Sequence, residues 1–446
     1  MTTHYLLDSL IVNGHRLISK ASPAFHERFL RDDLITEYDS EVSLKGLDNS
    51  ILAIPFLLNV IPLVWLSGET YYIQSLDVEL AGVLDRIHGT FRRLYPECAW
   101  NGELIAEELV QHLPLVNQKA TGLLFSGGLD SIHASLMNQA IPQVLIKILT
   151  APHPGNTGDE AMNSATREYV QKFAEAHGHR SSFVTSNVFS FISTRKLTGI
   201  WPNPMRWLIE AQYGLGFVGL TAPVMHSVGL TKLLMAGCEL DHYGFAFGSH
   251  PDIVNTIRWS GVEVVEEGLG ERRQKKIRAV HEMMSDHREW LAELKTCLHP
   301  NEAFENCCVC SKCLQTIVAL IGEGGDPRDY GFQIETRHAF RTLREQVSAQ
   351  QLPLYDVGEL LQWIDIQMSI REFIKDSQWP DLLGFECREN VLWFMRLDLV
   401  LYFARFQSRQ RRALRRVRFR VALFLDAWPV VGNSLRRLLR PLLRWR

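Results

Sequence analysis

The stretch that decides the fold is TGLLFSGGLDS at residues 121–131. Gly122 to Phe125 form an apolar run that predicts a short buried strand, and a helix is expected from Ser131 onward. Two consecutive glycines between them let the backbone turn tightly and approach a ligand without Cβ clashes. We expect the amide groups of this turn and of the helix N-terminus to point outward unpaired, which predicts an anion-binding site.

The strand–turn–helix pattern repeats along the next hundred residues. Further strands are predicted at Val144 to Leu149, Ser182 to Thr185 and Leu233 to Ala236, and a helix is predicted over 158–177. Strands that alternate with helices indicate an α/β fold with a parallel sheet and helices on both faces. Ligands of such sheets bind at the carboxyl ends of the strands.

Three regions are expected: an N-terminal accessory α/β domain (1–115), a catalytic domain (116–330) and a helical C-terminal domain (331–446). In the first region, Val78 to Tyr95 predicts an amphipathic helix. The apolar stretch from Ile51 to Leu66 contains two prolines and is short for a membrane-spanning helix. We interpret that stretch as buried strands.

Charge is distributed unevenly in a chain whose net charge is −3. Residues 401–446 contain thirteen Arg, one Asp and no Lys, so this tail carries +12 and the rest of the chain −15. Arginines mixed with Leu, Phe and Trp can bind nucleic acid, an acidic protein or an anionic membrane surface. Packing of the tail on the acidic body is the alternative. The N-terminus lacks the basic and apolar regions of a secretory signal, so we expect a cytoplasmic protein.

The candidate ATP-binding residues are those of the glycine-rich turn: Ser126, Gly127, Gly128, Leu129, Asp130 and Ser131. The hydroxyls of Ser126 and Ser131 can donate hydrogen bonds to phosphate oxygens. Phosphate would repel Asp130 directly, so its useful role is through Mg²⁺ or in fixing the loop. The loop is not of the Walker type, because the Gly-Lys-Ser/Thr ending is missing. An ordinary strand-to-helix turn remains the alternative.

A cysteine cluster follows a charged helix predicted at 269–294. Cys297, Cys307, Cys310 and Cys313 form the pattern C-x9-C-x2-C-x2-C, which suits a closed tetrahedral Zn²⁺ site. An iron–sulfur cluster or a redox thiol pair remains open. Cys308 is an additional cysteine that leaves the choice of ligands ambiguous.

The SGGLDS string at 126–131 resembles the SGGxDS signature of the PP-loop ATP pyrophosphatase superfamily. The resemblance implies the adenine-nucleotide alpha hydrolase fold and ATP with Mg²⁺ as cofactors. It also implies a reaction in which a carboxylate or carbonyl oxygen of the substrate attacks the α-phosphate of ATP. Pyrophosphate leaves, and a nitrogen or sulfur nucleophile then displaces AMP from the adenylated intermediate.

Together with the cysteine pattern, residues 118–325 are similar to 7-cyano-7-deazaguanine synthase, in which a glycine stands at the position of Cys308. This resemblance implies a deazaguanine-type carboxylate as substrate. The segment from Asn306 to Leu314 also resembles synthase-like proteins of antiphage operons, some of which are thought to modify proteins.

The substrate side is expected in the segment from Gly237 to Asp252, which follows the last predicted strand. Its aromatic side chains can stack on a planar base, its carboxylates can accept N–H hydrogen bonds, and its histidines can act as acid–base groups. The candidate substrate-binding residues are Asp241, Tyr243, His250 and Asp252. A surface loop without a ligand is the alternative.

Arg272, Arg273, Lys275 and Lys276 follow on the next helix, where they can either neutralise the leaving pyrophosphate or form a solvated face. The resemblance favours Arg273 and Lys276. With Asp130 and Ser131, these two residues complete the candidate catalytic set.

Two other functions are considered: a tRNA-modifying thiolase or ligase, favoured by the basic tail, and a non-catalytic ATP-binding assembly protein. We also expect a homodimer.

Overall fold

The computed structural model describes residues 4–113, 119–151, 157–237, 247–287, 293–375 and 379–410. Its strands are β1 (His4–Tyr5), β2 (Leu7–Asn13), β3 (Arg16–Ala21), β4 (Leu34–Tyr38), β5 (Thr70–Asp77), β6 (Glu103–Val110), β7 (Thr121–Leu124), β8 (Gln143–Thr150), β9 (Arg180–Ser186), β10 (Lys232–Ala236), β11 (Arg258–Trp259) and β12 (Val262–Glu267).

The helices alternate with these strands up to β12 and dominate the chain after it. They are α1 (Pro23–Phe29), α2 (Asn49–Leu52), α3 (Ile54–Ser67), α4 (Val78–Leu94), α5 (Leu129–Met137), α6 (Thr157–Ala176), α7 (Tyr213–Leu220), α8 (Ala222–Val228), α9 (Pro251–Val254), α10 (Arg273–Asp286), α11 (Ser311–Gly322), α12 (Thr336–Ser348), α13 (Val357–Lys375) and α14 (Arg388–Arg396). Residues 399–410 are also helical. The α/β class and the helical C-terminal region are therefore confirmed.

A nine-stranded sheet has the order β11-β12-β10-β7-β8-β9-β4-β3-β2. Its five central strands, β12 to β9, are parallel, and they include all four strands predicted from the apolar runs. The helices that connect them lie on both faces. Leu123 of β7 packs in one core with Ile132 of α5 and Ile277 of α10, whereas Leu124 faces the other core. This alternation along one strand is the reason why two cores share one sheet.

The N-terminal region extends the same sheet. Strand β4 pairs antiparallel with β9, placing Thr36 opposite Ser186, and β3 and β2 continue outward from β4. Asp39 fixes this junction, because its carboxylate accepts a hydrogen bond from Phe183 N at 2.8 Å and pairs with Arg167 at 3.0 Å. Three strands of the first 115 residues thus continue the sheet that carries the glycine-rich turn. The remaining N-terminal strands form a small parallel sheet, β1-β5-β6.

The apolar stretch from Ile51 to Leu66 is helical, so its interpretation as buried strands is wrong. It forms the end of α2 and most of α3, every residue of which is buried. A helix that is buried on all sides has no polar face. Its sequence therefore lacks the alternation of apolar and polar residues by which helices are distinguished from strands. Its length was the better guide, because strands rarely exceed ten residues. No helix in the described part of the chain is long and apolar enough to cross a bilayer.

Helix α3 packs along α7, and two glycines of α7 allow the close approach. A Cβ atom at Gly216 would lie 2.2 Å from Asn59 Oδ1, and one at Gly219 would lie 2.9 Å from Leu58 Cβ. Asn59 is fully buried and donates to Pro55 O at 2.8 Å, while its Oδ1 accepts from Gln212 at 2.7 Å. A side chain at Gly216 would therefore disrupt a satisfied polar network inside the core.

Replacing Gly216 with alanine is expected to destabilise the protein by roughly 1–3 kcal/mol, because the new methyl overpacks the α3–α7 contact. Gly82→Ala is the matched control, since a Cβ at Gly82 of α4 meets nothing within 4 Å. Alanine should be neutral or favourable at that helical position. Urea denaturation of both variants measures the difference, and equal midpoints would contradict the close-packing argument.

Candidate functional site

The strand order creates a crevice at the carboxyl ends of β7 and β10. The chain runs from β7 to β8 and β9 on one side, and then returns to place β10 on the other side of β7. The connections leaving β7 and β10 therefore diverge, which is the position where open α/β sheets bind ligands. The glycine-rich turn follows β7 directly, and Gly237 follows β10.

The turn needs glycine at position 127. Its φ is +81°, and a Cβ there would lie 2.6 Å from a ring carbon of Tyr169. Tyr169 is held in place because its hydroxyl donates to Glu293 O at 2.6 Å. Gly128 then forms the N-cap of α5. The two glycines therefore have the tight-turn role that the sequence predicted.

The expectation that the amides of the turn are unpaired is wrong. The N–H groups of Ser126 and Gly127 donate to Ser131 Oγ at 3.2 and 3.1 Å, and Gly128 N donates to Ser126 Oγ at 3.1 Å. The two hydroxyls fold back on the turn, because short polar side chains bond readily to nearby backbone groups. Within the described residues no side chain caps α5, so the anion-binding capacity of the turn rests on the first amides of this helix.

Asp130, in the first turn of α5, is held by two cations from α10. Lys276 Nζ lies 3.0 Å from Asp130 Oδ1 and 2.6 Å from Gly237 O, and Arg273 Nη1 lies 3.8 Å from Asp130 Oδ2. The Lys276 side chain is 1% exposed and that of Arg273 is 10% exposed. One ammonium group thus joins the turn, the end of β10 and α10 in a single contact.

The other two cations of this group face solvent. Arg272 pairs with Asp365 at 2.7 Å and is 55% exposed, and Lys275 pairs with Glu271 at 2.6 Å and is 68% exposed. The solvated-face interpretation therefore describes Arg272 and Lys275, whereas Arg273 and Lys276 face the crevice.

Charge keeps Asp130 ionised. Burial alone would raise its pKa, but Lys276, Arg273 and Lys312 outweigh that effect and hold the pKa below its usual value. A carboxylate already compensated by cations is a weak ligand for Mg²⁺. The contacts favour the second role considered for Asp130, which is to fix the loop.

Lys147 is a site residue that the sequence interpretation missed. Its Nζ donates to Ser126 O at 3.1 Å and lies 5.4 Å from the centroid of the Phe304 ring. Burial lowers the pKa of Lys147 to about 8, and no carboxylate in the described residues forms an ion pair with it. A lysine in the middle of the apolar run VLIKIL at 144–149 was the available signal.

Glu266, near the carboxyl end of β12, was also missed. It is 7% exposed, and its Oε2 has no hydrogen-bond partner among the residues that the structure describes. Burial raises its pKa to about 8, an effect that the charge of Lys276 partly offsets.

The predicted substrate-binding residues are only partly within the described structure. Asp241 and Tyr243 lie outside the described residues. His250 is the N-cap of α9, where its Nδ1 accepts from Asp252 N at 3.1 Å, and Asp252 forms an ion pair with Arg93 of α4. These contacts give His250 and Asp252 structural partners, and their role in substrate binding stays a prediction.

The four predicted cysteines converge. The Sγ atoms of Cys297, Cys307, Cys310 and Cys313 all lie within 4.8 Å of one another. The 4.0 Å separations of Cys297 from Cys310 and of Cys307 from Cys313 approach the ~3.8 Å edge of a tetrahedron with 2.3 Å zinc–sulfur bonds. The cluster can therefore bind a metal ion such as zinc, and four protein thiolates would leave no open coordination position.

Cys308 is not part of this group. Its side chain is buried, and its Sγ donates to Asn306 O at 3.5 Å. Its φ of +59° lies in the left-handed region, which glycine adopts without strain. Because the four clustered thiols exclude Cys308, the ambiguity about the ligands is removed.

The cysteine cluster supports the glycine-rich turn from two directions. Before it, Lys295 N donates to Gly127 O at 2.7 Å. After it, α11 begins at Ser311 and presents Thr316, whose hydroxyl accepts from Arg273 Nη2 at 3.0 Å. A metal that orders this cluster would therefore also order the loop and one of its cations.

A cavity of about 640 Å³ lies elsewhere, between α10 and the turn at 324–331. Its lining includes Glu293, Asp326 and Asp329, and none of the residues of the glycine-rich turn. The lining also includes Arg328, which pairs with Asp326, so the carboxylates remain in excess and the cavity is a poor phosphate site. The candidate site is therefore the crevice.

Comparison with known proteins gives no functional assignment, so any assignment rests on the chemistry of this crevice. A search against protein-family models finds no match to this chain, and no curated protein matches it.

The purified protein is expected to contain one zinc ion per chain, held by the four clustered thiolates. Cys313→Ser should abolish this content, because three thiolates bind zinc far more weakly than four. Cys98→Ser is the control, since Cys98 lies outside the cluster. Elemental analysis after dialysis measures the stoichiometry, and full occupancy in Cys313→Ser would contradict the assigned ligand set.

Glu266 is expected to make stability depend on pH. Because its folded pKa of about 8 exceeds its ordinary value of 4.5, the folded state retains a proton that the unfolded state releases first. The free energy of unfolding then falls as the pH rises from about 4.5 to about 8, by up to about 1.4 kcal/mol per pH unit. Glu266→Gln should flatten the profile between pH 5 and 8, whereas the exposed control Glu263→Gln should not. If the stability of the wild type and of Glu266→Gln depends on pH in the same way, the raised pKa of Glu266 is contradicted.

Proposed function

We propose that this chain is an ATP-using enzyme of the PP-loop type. It adenylates a carboxylate or carbonyl oxygen of its substrate and releases pyrophosphate, and a nitrogen nucleophile then displaces AMP from the activated group. The observation that carries this proposal is the cluster of Asp130, Arg273 and Lys276 beside the glycine-rich turn, at the point where the strand order reverses.

The crevice supplies what adenylation requires of a protein. Attack on the α-phosphate concentrates negative charge on the phosphate oxygens and on the departing pyrophosphate, and fixed cations stabilise that charge. Arg273 and Lys276 approach the turn from α10, and Lys147 approaches it from β8. Arg273 and Lys276 are nearly enclosed, with side chains 10% and 1% exposed, so these two cations need little reorganisation when ATP binds.

The protein groups have separable roles. The first amides of α5 would bind phosphate oxygens, and Ser126 and Ser131 would hold the turn in shape through their hydrogen bonds. Asp130 would orient Lys276 and Arg273 without contacting phosphate. Any Mg²⁺ would arrive with ATP.

The cysteine cluster and the loop together support a 7-cyano-7-deazaguanine synthase-like reaction. In that reaction a 7-carboxy-7-deazaguanine-type carboxylate is the group that becomes adenylated. The zinc would be structural, because its four ligands are all supplied by the chain. A role in antiphage defence and the cytoplasmic location remain part of this proposal.

Pyrophosphate release from ATP, with and without 7-carboxy-7-deazaguanine, tests the proposal. We expect substrate-dependent release by the wild type and a loss of roughly 100-fold or more in Lys276→Met, because a buried cation at the reacting phosphate is removed. Lys275→Met is the matched control from the adjacent position of α10, where the side chain is exposed. This control should retain the wild-type rate.

Circular dichroism of Lys276→Met must show a folded protein, since breaking a buried ion pair also destabilises. A folded Lys276→Met variant with the wild-type rate would exclude the assigned role. The absence of any ATP-dependent release by the wild type would argue against adenylation of this substrate.

A further inference from the structure

The small parallel sheet ends on one side in β6. Among the described residues, β6 pairs only with β5, so the main-chain groups on its other side have no neighbouring strand there. A strand edge of this kind can bind a further extended segment through main-chain hydrogen bonds. The eight residues of β6 offer roughly 26 Å of edge, which is long enough for a segment of six residues.

One face of β6 alternates acidic and apolar side chains. Successive side chains of a strand point to opposite faces, so Glu103, Ile105, Glu107 and Leu109 share one face, and all four are exposed. The Tyr5 hydroxyl donates to Glu107 at 2.5 Å, but no cation in the described part of the chain forms an ion pair with Glu103 or Glu107. This face of the edge is therefore suited to a segment with basic side chains.

A cavity of about 510 Å³ lies between α4 and the first half of β6. Its lining includes Leu104 of β6, Leu84 and His88 of α4, and the rings of Trp65 and Trp100. The two tryptophans are 4% and 5% exposed, so the core holds these walls in place. A segment that lies along β6 can therefore place a large apolar side chain in this cavity.

The Arg-rich tail contains a sequence with the complementary pattern. Residues 416–421 lie outside the described residues, and their sequence, RVRFRV, alternates arginine with valine and phenylalanine. A period of two gives an extended segment one basic face and one apolar face. Arg416 and Arg420 are four positions apart, and the same spacing separates Glu103 from Glu107.

We propose that residues 416–421 of a second copy of this chain bind along the free edge of β6. The basic face of this segment pairs with Glu103 and Glu107, and Phe419 on its apolar face enters the cavity between α4 and β6. Because each copy offers both an edge and a tail, the exchange is reciprocal and closes as a two-fold dimer.

The place where the tail leaves the body favours a second copy over the same chain. Tyr402 and Phe406 of the last described helix belong to the core on one face of the nine-stranded sheet, whereas Leu104 and Ala106 of β6 pack against the core on the other face. A sheet with one layer of helices on each face is roughly 30 Å thick. The six residues from 410 to 416 span at most about 22 Å when fully extended.

Sedimentation velocity of the full chain over a range of concentrations tests the proposal. The edge variant Glu103→Lys/Glu107→Lys and the tail variant Arg416→Glu/Arg420→Glu are each expected to weaken self-association by roughly 10- to 100-fold. The reason is that two attractive charge pairs become repulsive in each variant.

The matched control is Glu175→Lys/Glu345→Lys, which makes the same change in net charge at exposed positions of α6 and α12. Both helices pack against the core on the opposite face of the nine-stranded sheet from β6, so this control should associate like the wild type. Phe419→Ser should weaken self-association by roughly 10-fold or more, because the cavity loses its apolar side chain. Circular dichroism checks that each variant is folded.

An equimolar mixture of the edge variant and the tail variant shows whether the tail is exchanged between copies. In the mixed dimer each edge again meets a tail of opposite charge, so association should return to about the wild-type strength. A mixture that associates as weakly as its components would overturn the exchange. A wild type that stays monomeric, or edge and tail variants that associate like the wild type, would overturn the contact between the tail and β6.

Discussion

The contact on which the candidate site depends is the buried ammonium of Lys276. It reaches Asp130 of α5 and the carbonyl of Gly237 after β10, so the two connections that diverge after β7 and β10 are joined through α10. Water would weaken this interaction, but the side chain is almost fully enclosed, and the attraction is correspondingly stronger. The position of the crevice thus follows from the strand order, and Lys276 is more deeply buried than Arg273, the other cation that α10 supplies to it.

The cysteine cluster is the second feature that holds the candidate site in place. The segment before Cys297 lies on the backbone of the turn through Lys295, and α11 after Cys310 carries Thr316, which holds Arg273. The first of these contacts is made by the segment before the cluster, and the second is made by the helix that follows Cys310. A metal site that contributes no reacting ligand can therefore still determine how well the phosphate loop is shaped.

The sequence predicted the features that local chemistry dictates. The parallel strands, the glycine turn and the four cysteines were found because apolar runs, positive-φ glycines and thiolate spacing are local signals. The helix at residues 54–67 was misread because a segment buried on every side has no polar face. The unpaired-amide expectation failed because the two serine hydroxyls turn back on the loop. Glu266 was missed because its position beside the crevice depends on strand register, which the amino-acid order does not display. Lys147 was missed although the apolar run around it carried a signal.

The pairing of β4 with β9 has a consequence for how this chain is made. Ser186 Oγ donates to the carbonyl of Ile35, a residue that precedes it by 151 positions. At a synthesis rate of about 5–20 residues per second, the N-terminal strands wait roughly 8–30 s on the ribosome before their partner emerges. During that interval β4 presents an unpaired edge, a template for pairing with other chains. The non-local pairing of β4 with β9 also predicts slow folding.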